Sequence, residues 1–226
     1  VRLSYRGKAV RLKTAKGRKT SSTKWLNRQL NDPYVALSKK DGYVSRAAYK
    51  ILEIDSQFHI LSKDTVVVDL GASPGSWTQV LVKAKVGKII AVDLKPLNVS
   101  GATDFILGDF QNASIQAKVL SKLAGRSADV VLSDMAPSIT GCRVSDHAAV
   151  LSLGESVLEF SKSVLAKGGS MVVKVMHGGG EKQLFDEIKK YFSHAKFFKP
   201  AASRKGSPEV YIVALSFIYP KHHKST

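Results

Sequence analysis

The sequence predicts one α/β domain built on a largely parallel sheet, and three observations predict it. Short β-branched runs alternate with helix-length amphipathic stretches from residue 64 onward. Two of those runs, VVVDL and DVVLSD, are apolar on both faces, as expected of central strands covered by helices on each side. A chain of 226 residues with 44% apolar content suits one such domain and argues against a disordered or collagen-like polymer.

Taken in order, helical spacing marks residues 25–37 and 45–58, the second with Ala47, Ala48, Ile51, Leu52 and Ile54 on one apolar face. Strands are expected at 65–70, 88–93, 104–107, 129–133, 170–175, 195–198 and 209–217, with helices at 76–85, 113–123, 146–165 and 181–192. No helical pattern separates the last two strands. Only a Pro/Ser/Gly loop over 200–208 joins them, so they form an antiparallel hairpin at one edge of the sheet.

Charge narrows the class of partner. The first 50 residues hold 14 of the 35 Lys+Arg and two of the 18 Asp+Glu, which places +12 of the formal +17 in that segment. No acid precedes Asp32, and Arg2, Arg6, Lys8, Arg11, Lys13, Lys16, Arg18, Lys19, Lys24 and Arg28 interleave with Ser, Thr and Gly. Such a block repels itself and favours a partner with many phosphates, because each neutralised phosphate releases a counterion. Nucleic acid is the default partner; a solvated tail or a targeting segment, also basic and Ser-rich, is the alternative. The block has no sustained apolar helical face for a membrane surface, and no apolar run approaches the roughly 18–20 residues that span a bilayer, so no membrane is expected. The lone Cys142 excludes an internal disulfide and a multi-cysteine zinc site, and fits a reducing compartment. No metal is expected. The chain reads as a basic, flexible arm over 1–22, one domain over 23–220, and a tail over 221–226 that includes His222 and His223.

In open α/β sheets, ligands sit beyond the carboxyl ends of the strands where strand order reverses. Five consecutive strand ends here carry a polar or Gly-rich signature. The first is Asp69-Leu-Gly-Ala-Ser-Pro-Gly-Ser-Trp77; Asp93, Gly108-Asp109 and Asp134-Met-Ala-Pro137 follow, and Lys174 interrupts the fifth. Gly71 to Gly75 is Gly-x-x-x-Gly, not the Gly-x-Gly-x-x-Gly of a dinucleotide site, which weakens an NAD enzyme. S-adenosylmethionine has no phosphate to cradle, and Gly71 and Gly75 would let backbone approach its amino-acid tail. Asp93, 22 residues after Gly71, is placed to accept both ribose hydroxyls, and Asp109 to accept from the adenine amino group. For each Asp alone, capping the next helix is the bland reading. Lys174 lies in Met-Val-Val-Lys-Val-Met, a buried-strand pattern, so its ammonium needs a partner, and Asp134 on the neighbouring strand is the obvious one.

The combination Ser45-Arg-Ala-Ala-Tyr-Lys50, Asp69 to Trp77, Ser133-Asp-Met-Ala-Pro137, Val172-Val-Lys-Val175 and Ser207-Pro-Glu-Val-Tyr211 resembles the FtsJ (RrmJ) family of RNA ribose 2'-O-methyltransferases. Within the family it looks most like the bacterial members that methylate a uridine of 23S ribosomal RNA, and the match runs from about Thr23 to Phe217 with its motifs in order. The resemblance implies a Rossmann-like S-adenosylmethionine-dependent methyltransferase fold, with seven strands, the last antiparallel, and helices on both faces. It implies a catalytic tetrad of Lys50, Asp134, Lys174 and Glu209, with cofactor contacts at Gly75, Trp77, Asp93, Asp109 and Asp134. It also implies a monomer acting on large-subunit rRNA in a ribosomal particle, in a bacterial cytoplasm. Methylation of tRNA or of an mRNA cap, and a non-catalytic RNA-binding module on the same fold, are the alternatives.

Two segments depart from the family pattern. The arm before Thr23 is longer than in the bacterial members, which leaves an organellar origin open. His177-Gly-Gly-Gly-Glu181 stands where a Gln-Gly-Glu-Gly type segment is usual.

Methylating a ribose hydroxyl requires in-line placement against the sulfonium methyl and removal of one proton. Lys174 is the candidate, either as a neutral base or as a cation that holds the oxygen while the proton leaves to water. Glu209 would position Lys50 or Lys174. Lys24, Arg28, Arg46 and Lys50 are the candidate RNA contacts. Trp25, Tyr34, Tyr43 and Tyr49 are candidate stacking platforms, although aromatics at such spacing are more often core. Arg143 and Gly178 to Gly180 are expected in loops beside the substrate cleft, and Cys142, with no base nearby, is not a nucleophile.

Overall fold

The computed structural model describes residues 10, 12, 17, 19–99, 101, 103–137, 140–204 and 206–218. Arg2, Arg6, Lys8, Arg11, Lys13, Lys16, Arg18, His222 and His223 lie outside the described residues, as does the side chain of Arg143.

Two short helices, α1 (Thr20–Leu30) and α2 (Pro33–Lys40), precede α3 (Ala48–Phe58). The alternating part then runs β1 (Val66–Leu70), α4 (Ser76–Ala84), β2 (Lys88–Asp93), β3 (Asp104–Leu107), α5 (Ala113–Leu123) and β4 (Ala128–Ser133). It continues through α6 (Arg143–Val164), β5 (Leu165–Met176), α7 (Glu181–Ile188), β6 (Phe192–Phe198) and β7 (Glu209–Phe217). One sheet holds all seven strands in the order β3-β2-β1-β4-β5-β7-β6. Every pair from β3 through β5 is parallel, and β7 runs antiparallel to both β5 and β6, so the expected edge hairpin is present with β6 outermost.

The pleat sorts the core into two layers. Val66, Val68 and Leu70 of β1 pack with Met171, Val173 and Val175 of β5 against α5, α6 and α7. The alternate residues, including Val67, Val172, Tyr211 and Val213, pack against Ile51 and Ile54 of α3 and Val80 and Leu81 of α4. Helices on both faces explain why the central strands carry no polar face.

Local differences from the sequence expectation have local causes. The helix expected over 25–37 is two helices. Pro33 lacks an amide hydrogen and clashes with the preceding turn, so α1 stops at Leu30, and Asp32 caps α2 by accepting from the Tyr34 amide at 3.0 Å. The first helix starts at Thr20, so the expected arm boundary at residue 22 falls inside α1. Arg143 opens α6 instead of lying in a loop. Among the described residues no helix is long and apolar enough to cross a membrane.

The chain leaves β1 toward β2 on one side, while β4 joins on the other, so the crevice between the loops after β1 and β4 is the topological switch point. Gly71 sits there at φ +78°, and a Cβ at this position would lie 2.8 Å from the Met135 backbone nitrogen. The two loops are therefore in contact only because residue 71 has no side chain. Beneath them Asp69 is fully buried. Its Oδ2 accepts from Thr78 Oγ1 at 2.7 Å, while Oδ1 has no hydrogen-bond partner among the described residues. Burial pushes its carboxyl up to about 7, against the Thr78 hydrogen bond and helped by the charges of Asp134 and Asp93.

Because the folded value exceeds the unfolded one, Asp69 favours the native state most below about pH 4, and that contribution is lost as pH rises through about 7. Urea titrations from about pH 5 to pH 8 should show wild-type stability falling relative to Asp69→Asn, whose profile is flatter over that window. Parallel profiles would mean that Asp69 is already ionised at the acid end.

Candidate active site

Four residues from four segments meet above the carboxyl end of the sheet. Strand alternation places Lys174 on the α3 side of β5. Antiparallel pairing sets it directly across from Tyr211, with Met176 across from Glu209, so Tyr211 and Glu209, two residues apart, share its face. α3 brings Lys50 over the same spot and β4 ends in Asp134. Lys174 Nζ donates to the Asp134 carbonyl and lies 2.9 Å from Asp134 Oδ1. Lys50 Nζ is 2.8 Å from Glu209 Oε1 and 3.7 Å from Asp134 Oδ2. The sequence-derived tetrad of Lys50, Asp134, Lys174 and Glu209 therefore forms one network.

Tyr211 is the member that the sequence reading did not assign a role. Its hydroxyl donates to Asp134 Oδ1 at 2.7 Å and accepts from Lys50 Nζ at 3.0 Å, which ties both halves of the tetrad together. Burial raises the phenol well above 10, and the charges of Asp134 and Glu209 add to the effect, so it stays a neutral donor. The signal was available: a strand beginning at Glu209 must present residue 211 on the same face. For Asp134, burial alone would raise the carboxyl. The Lys174 and Lys50 ammonium groups and the hydrogen bonds from Lys174 and Tyr211 outweigh it and hold the group below the usual carboxylate range.

Beside the network, a cleft of about 630 Å³ opens at the switch point. Gly71, Asp93, Asp109 and Asp134 line it, with Leu94, Phe110 and Met135 as apolar walls. Asp93 Oδ2 accepts from the Ser73 amide and Oδ1 from the Lys95 amide, both at 2.8 Å, which fixes the carboxylate between the loops after β1 and β2. Asp109 Oδ1 accepts from the Gln111 amide at 2.9 Å. Neither Asp caps a helix, because among the described residues no helix stands between β2 and β3 and Asn112 is the N-cap of α5, and both stand on the cleft wall. Gly75 takes φ +114°, and a Cβ there would lie 2.1 Å from Val99 Cγ2, which accounts for this glycine by packing. The Trp77 indole is buried. It donates to the Ala47 carbonyl at 2.9 Å and packs on Tyr211 at 5.7 Å between ring centroids, so the indole is committed to the core.

The remaining candidates divide by exposure. Lys24 and Arg28 project from α1 into solvent. Arg46 is committed to Asp32 at 2.9 Å and to the Ala202 carbonyl. Tyr49 is buried and packs on both Tyr34 and Tyr43, while Trp25 is 53% exposed. Of the four aromatics considered for base stacking, Trp25 has its face available. Among the described residues no group of His, Cys, Asp and Glu could hold a metal.

The unusual segment 177–181 is organised by its own acid. Glu181 accepts from the Gly178 and Gly179 amides at 3.0–3.1 Å and lies 3.2 Å from His177 Nδ1. Burial would raise its carboxyl, but these hydrogen bonds bring it down to about 2.

Sheet order, antiparallel seventh strand and an acidic switch-point cleft beside a Lys/Asp/Lys/Glu network define an α/β enzyme of the Rossmann-like methyltransferase class. The chain belongs to the FtsJ-like methyltransferase family, whose pattern matches residues 43–217. It is 49% identical over 213 residues to the ribosomal RNA large subunit methyltransferase E of Granulibacter bethesdensis, covering 94% of this chain and 92% of that protein. The protein of the same name from Acidiphilium cryptum is 45% identical, covering 95% of each. Among solved structures, a Plasmodium falciparum protein assigned to the ribosomal RNA methyltransferases superposes with a TM-score of 0.70 at 30% identity, over 77% of this chain and 98% of that one.

Glu181 stabilises the loop above about pH 4.5 and loses that effect only as pH falls through about 2, so Gly178 and Gly179 should keep their hydrogen-exchange protection across neutral pH. Glu181→Ala removes the acceptor of both amides and should raise their exchange rates about ten-fold or more. Unchanged rates would show that the loop is held by something else.

Proposed function

We propose that this chain transfers a methyl group from S-adenosylmethionine to a ribose 2'-hydroxyl of RNA, with a uridine of large-subunit ribosomal RNA as its target. The observation that carries the reading is the Lys50, Asp134, Lys174 and Glu209 network standing at the lip of the switch-point cleft. The names of the bacterial relatives supply the rRNA, and their identity extends over nearly the whole chain.

The cleft suits this cofactor by charge and by size. Its wall carries three carboxylates against Lys95, an unfavourable lining for a pyrophosphate and a favourable one for a ligand with an ammonium and a sulfonium. About 630 Å³ lies within the range of small-molecule sites. Asp93 would accept from the ribose hydroxyls and Asp109 from the adenine amino group. The first-turn amides of α4 and the backbone at Gly71 would face the amino-acid tail. When bound, the cofactor supplies an electrophilic methyl carbon.

The chain's own residues then have two tasks, placement and proton removal. Lys174 Nζ gives two of its positions to the Asp134 carbonyl and carboxylate. One position remains for the ribose 2'-oxygen, where Lys174 takes the departing proton as a neutral amine or, as a cation, holds the oxygen while the proton leaves to water. Asp134 balances its charge, Tyr211 fixes the carboxylate, and Glu209 holds Lys50 beside them.

Lys174→Ala should abolish methyl transfer to RNA, measured with labelled cofactor, while cofactor affinity by calorimetry stays within a few-fold. Turnover near the parent rate would remove Lys174 from the reaction. Asp93→Ala should weaken cofactor binding about ten-fold or more, since it deletes a charged acceptor and frees the Ser73 and Lys95 amides. Retained affinity would refute the ribose assignment.

A further inference from the structure

α4 opens at the switch-point cleft. Its N-cap is Gly75, and Gly71 and Ser73 of the preceding loop line the cleft. Side chains of the same helix reach the irregular segment 41–47, which joins α2 to α3 and leads into Lys50. Asp41, Gly42 and Val44 are exposed, so apolar burial does little to fix that segment.

Hydrogen bonds from α4 hold it instead. Gln79 donates through Nε2 to the Gly42 carbonyl at 2.7 Å and accepts through Oε1 from the Val44 amide at 2.9 Å, so one side-chain amide grips the backbone in both directions. Ser76 Oγ lies 2.6 Å from Ser45 Oγ, which also accepts from the Ala47 amide at 3.1 Å. Lys83 Nζ donates to the Asp41 carbonyl at 3.1 Å and sits 3.9 Å from the centre of the Tyr43 ring. Ser76, Gln79 and Lys83 follow helical spacing and share one face of α4.

The gripped segment in turn carries the start of α3. Ala47, its N-cap, offers no side-chain cap, and the first turn of α3 holds no acid. The amides of Ala48, Tyr49 and Lys50 donate instead to the carbonyls of Ser45, Arg46 and Ala47, at 3.3, 3.2 and 3.0 Å. The Ala47 carbonyl that receives the Lys50 amide also accepts from Trp77 Nε1 of α4. The Lys50 backbone thus hangs on the segment that α4 holds, while its ammonium reaches Glu209 and Tyr211.

We propose that Gln79 and Ser76 are positioning residues for methyl transfer: by holding the 41–47 segment against α4 they set where Lys50 stands beside Glu209 and Asp134. The inference deepens the RNA-methylating reading and rests on it. Among the described residues neither side chain is hydrogen-bonded to the tetrad, so each acts through the backbone of the segment. The Gln79 amide itself donates to the Gly75 carbonyl at 2.8 Å, which references the grip on Lys50 to the same turn of chain that edges the cleft. α3 and α4 also pack through Ile51, Ile54, Val80 and Leu81, which keeps the helices together when the grip is loosened. The loss expected on substitution is therefore one of placement and not of fold.

The test compares the parent with Gln79→Ala, Gln79→Glu and Ser76→Ala in steady-state methyl transfer from labelled S-adenosylmethionine to large-subunit rRNA. Gln79→Ala should lower kcat about ten-fold, with KM for RNA and calorimetric cofactor affinity within a few-fold of the parent. Gln79→Glu keeps the acceptor for Val44 and lacks the donor for Gly42, so its kcat should fall between those of the parent and Gln79→Ala. Ser76→Ala should lower kcat in the same direction. Hydrogen exchange at the Ala48, Tyr49 and Lys50 amides should speed up in Gln79→Ala. A lower melting temperature with parental kcat would overturn the proposal, since it marks a structural role alone. Cofactor affinity that falls in step with kcat would overturn it too, because α4 would then act on the cleft and not on Lys50. A parent chain that fails to methylate ribose would overturn the functional reading itself, whereas a parent that methylates beside variants of unchanged kcat would overturn the positioning role alone.

Discussion

The Asp134 carboxylate stands where β4 ends beside the switch point, and three groups from distant parts of the chain converge on it: Lys174, Tyr211 and Lys50. Two cations and two carboxylates gathered at low exposure are expensive to desolvate, and such networks contribute little to stability compared with well-packed apolar residues. Breaking one is another matter, since an unpaired charge left behind costs about 3–5 kcal/mol. The arrangement is therefore better understood as a device for position than as a source of stability. It holds an amine at a defined point over the end of the sheet, and the apolar neighbours of Lys174 in β5 prevent the side chain from folding elsewhere.

Along the sheet the molecule presents three electrostatic environments in sequence. The cleft over β3, β2, β1 and β4 is acidic, the network at β4, β5 and β7 balances two charges of each sign, and the cavity beside the β6–β7 loop is basic. For the proposed reaction, which joins a cationic donor to a polyanionic acceptor, this separation offers each partner a surface of opposite charge. A uniformly basic surface would repel the cofactor, and a uniformly acidic one would repel RNA. The strand order produces the separation, because the parallel half ends in aspartates and the antiparallel hairpin carries the arginine-bearing loop.

Much of this was legible before any coordinates. Strand ends could be read in order because central parallel strands are apolar on both faces, so a Lys174 or an Asp134 stands out against its neighbours. Lys174 and Asp134 were identifiable for that reason, whereas Lys50 in α3 and Glu209 at the start of β7 were joined to them by the resemblance to a known family. Pro33 was also legible as a helix stop, yet the apolar spacing on either side of it suggested one continuous helix. The Trp77 indole faces the core, which its position in the motif did not reveal. What sequence could not reveal are pairings such as Arg46 with Ala202, 156 residues apart. No periodicity connects such segments, so the cavity beside the β6–β7 loop, lined by Arg28, Asp32, Arg46 and Arg204, emerges only when three separate pieces of chain are in place.

One residue sets the geometry of both the cleft floor and the Lys174 amine. Asp134 has every backbone and side-chain polar group engaged: its amide donates to the Leu70 carbonyl of β1 at 3.1 Å, its carbonyl accepts from Lys174, and its carboxylate takes Lys174 and Tyr211. The next residue, Met135, packs against Gly71 so closely that no side chain fits between them. The floor of the switch-point cleft and the amine of Lys174 are thus referenced to the same peptide. Close placement is what in-line transfer demands, and a residue anchored through its amide, its carbonyl and its carboxylate favours it. The buried network and the tight glycine contact are two parts of one constraint, which fixes the distance from the floor of the switch-point cleft to the amine of Lys174.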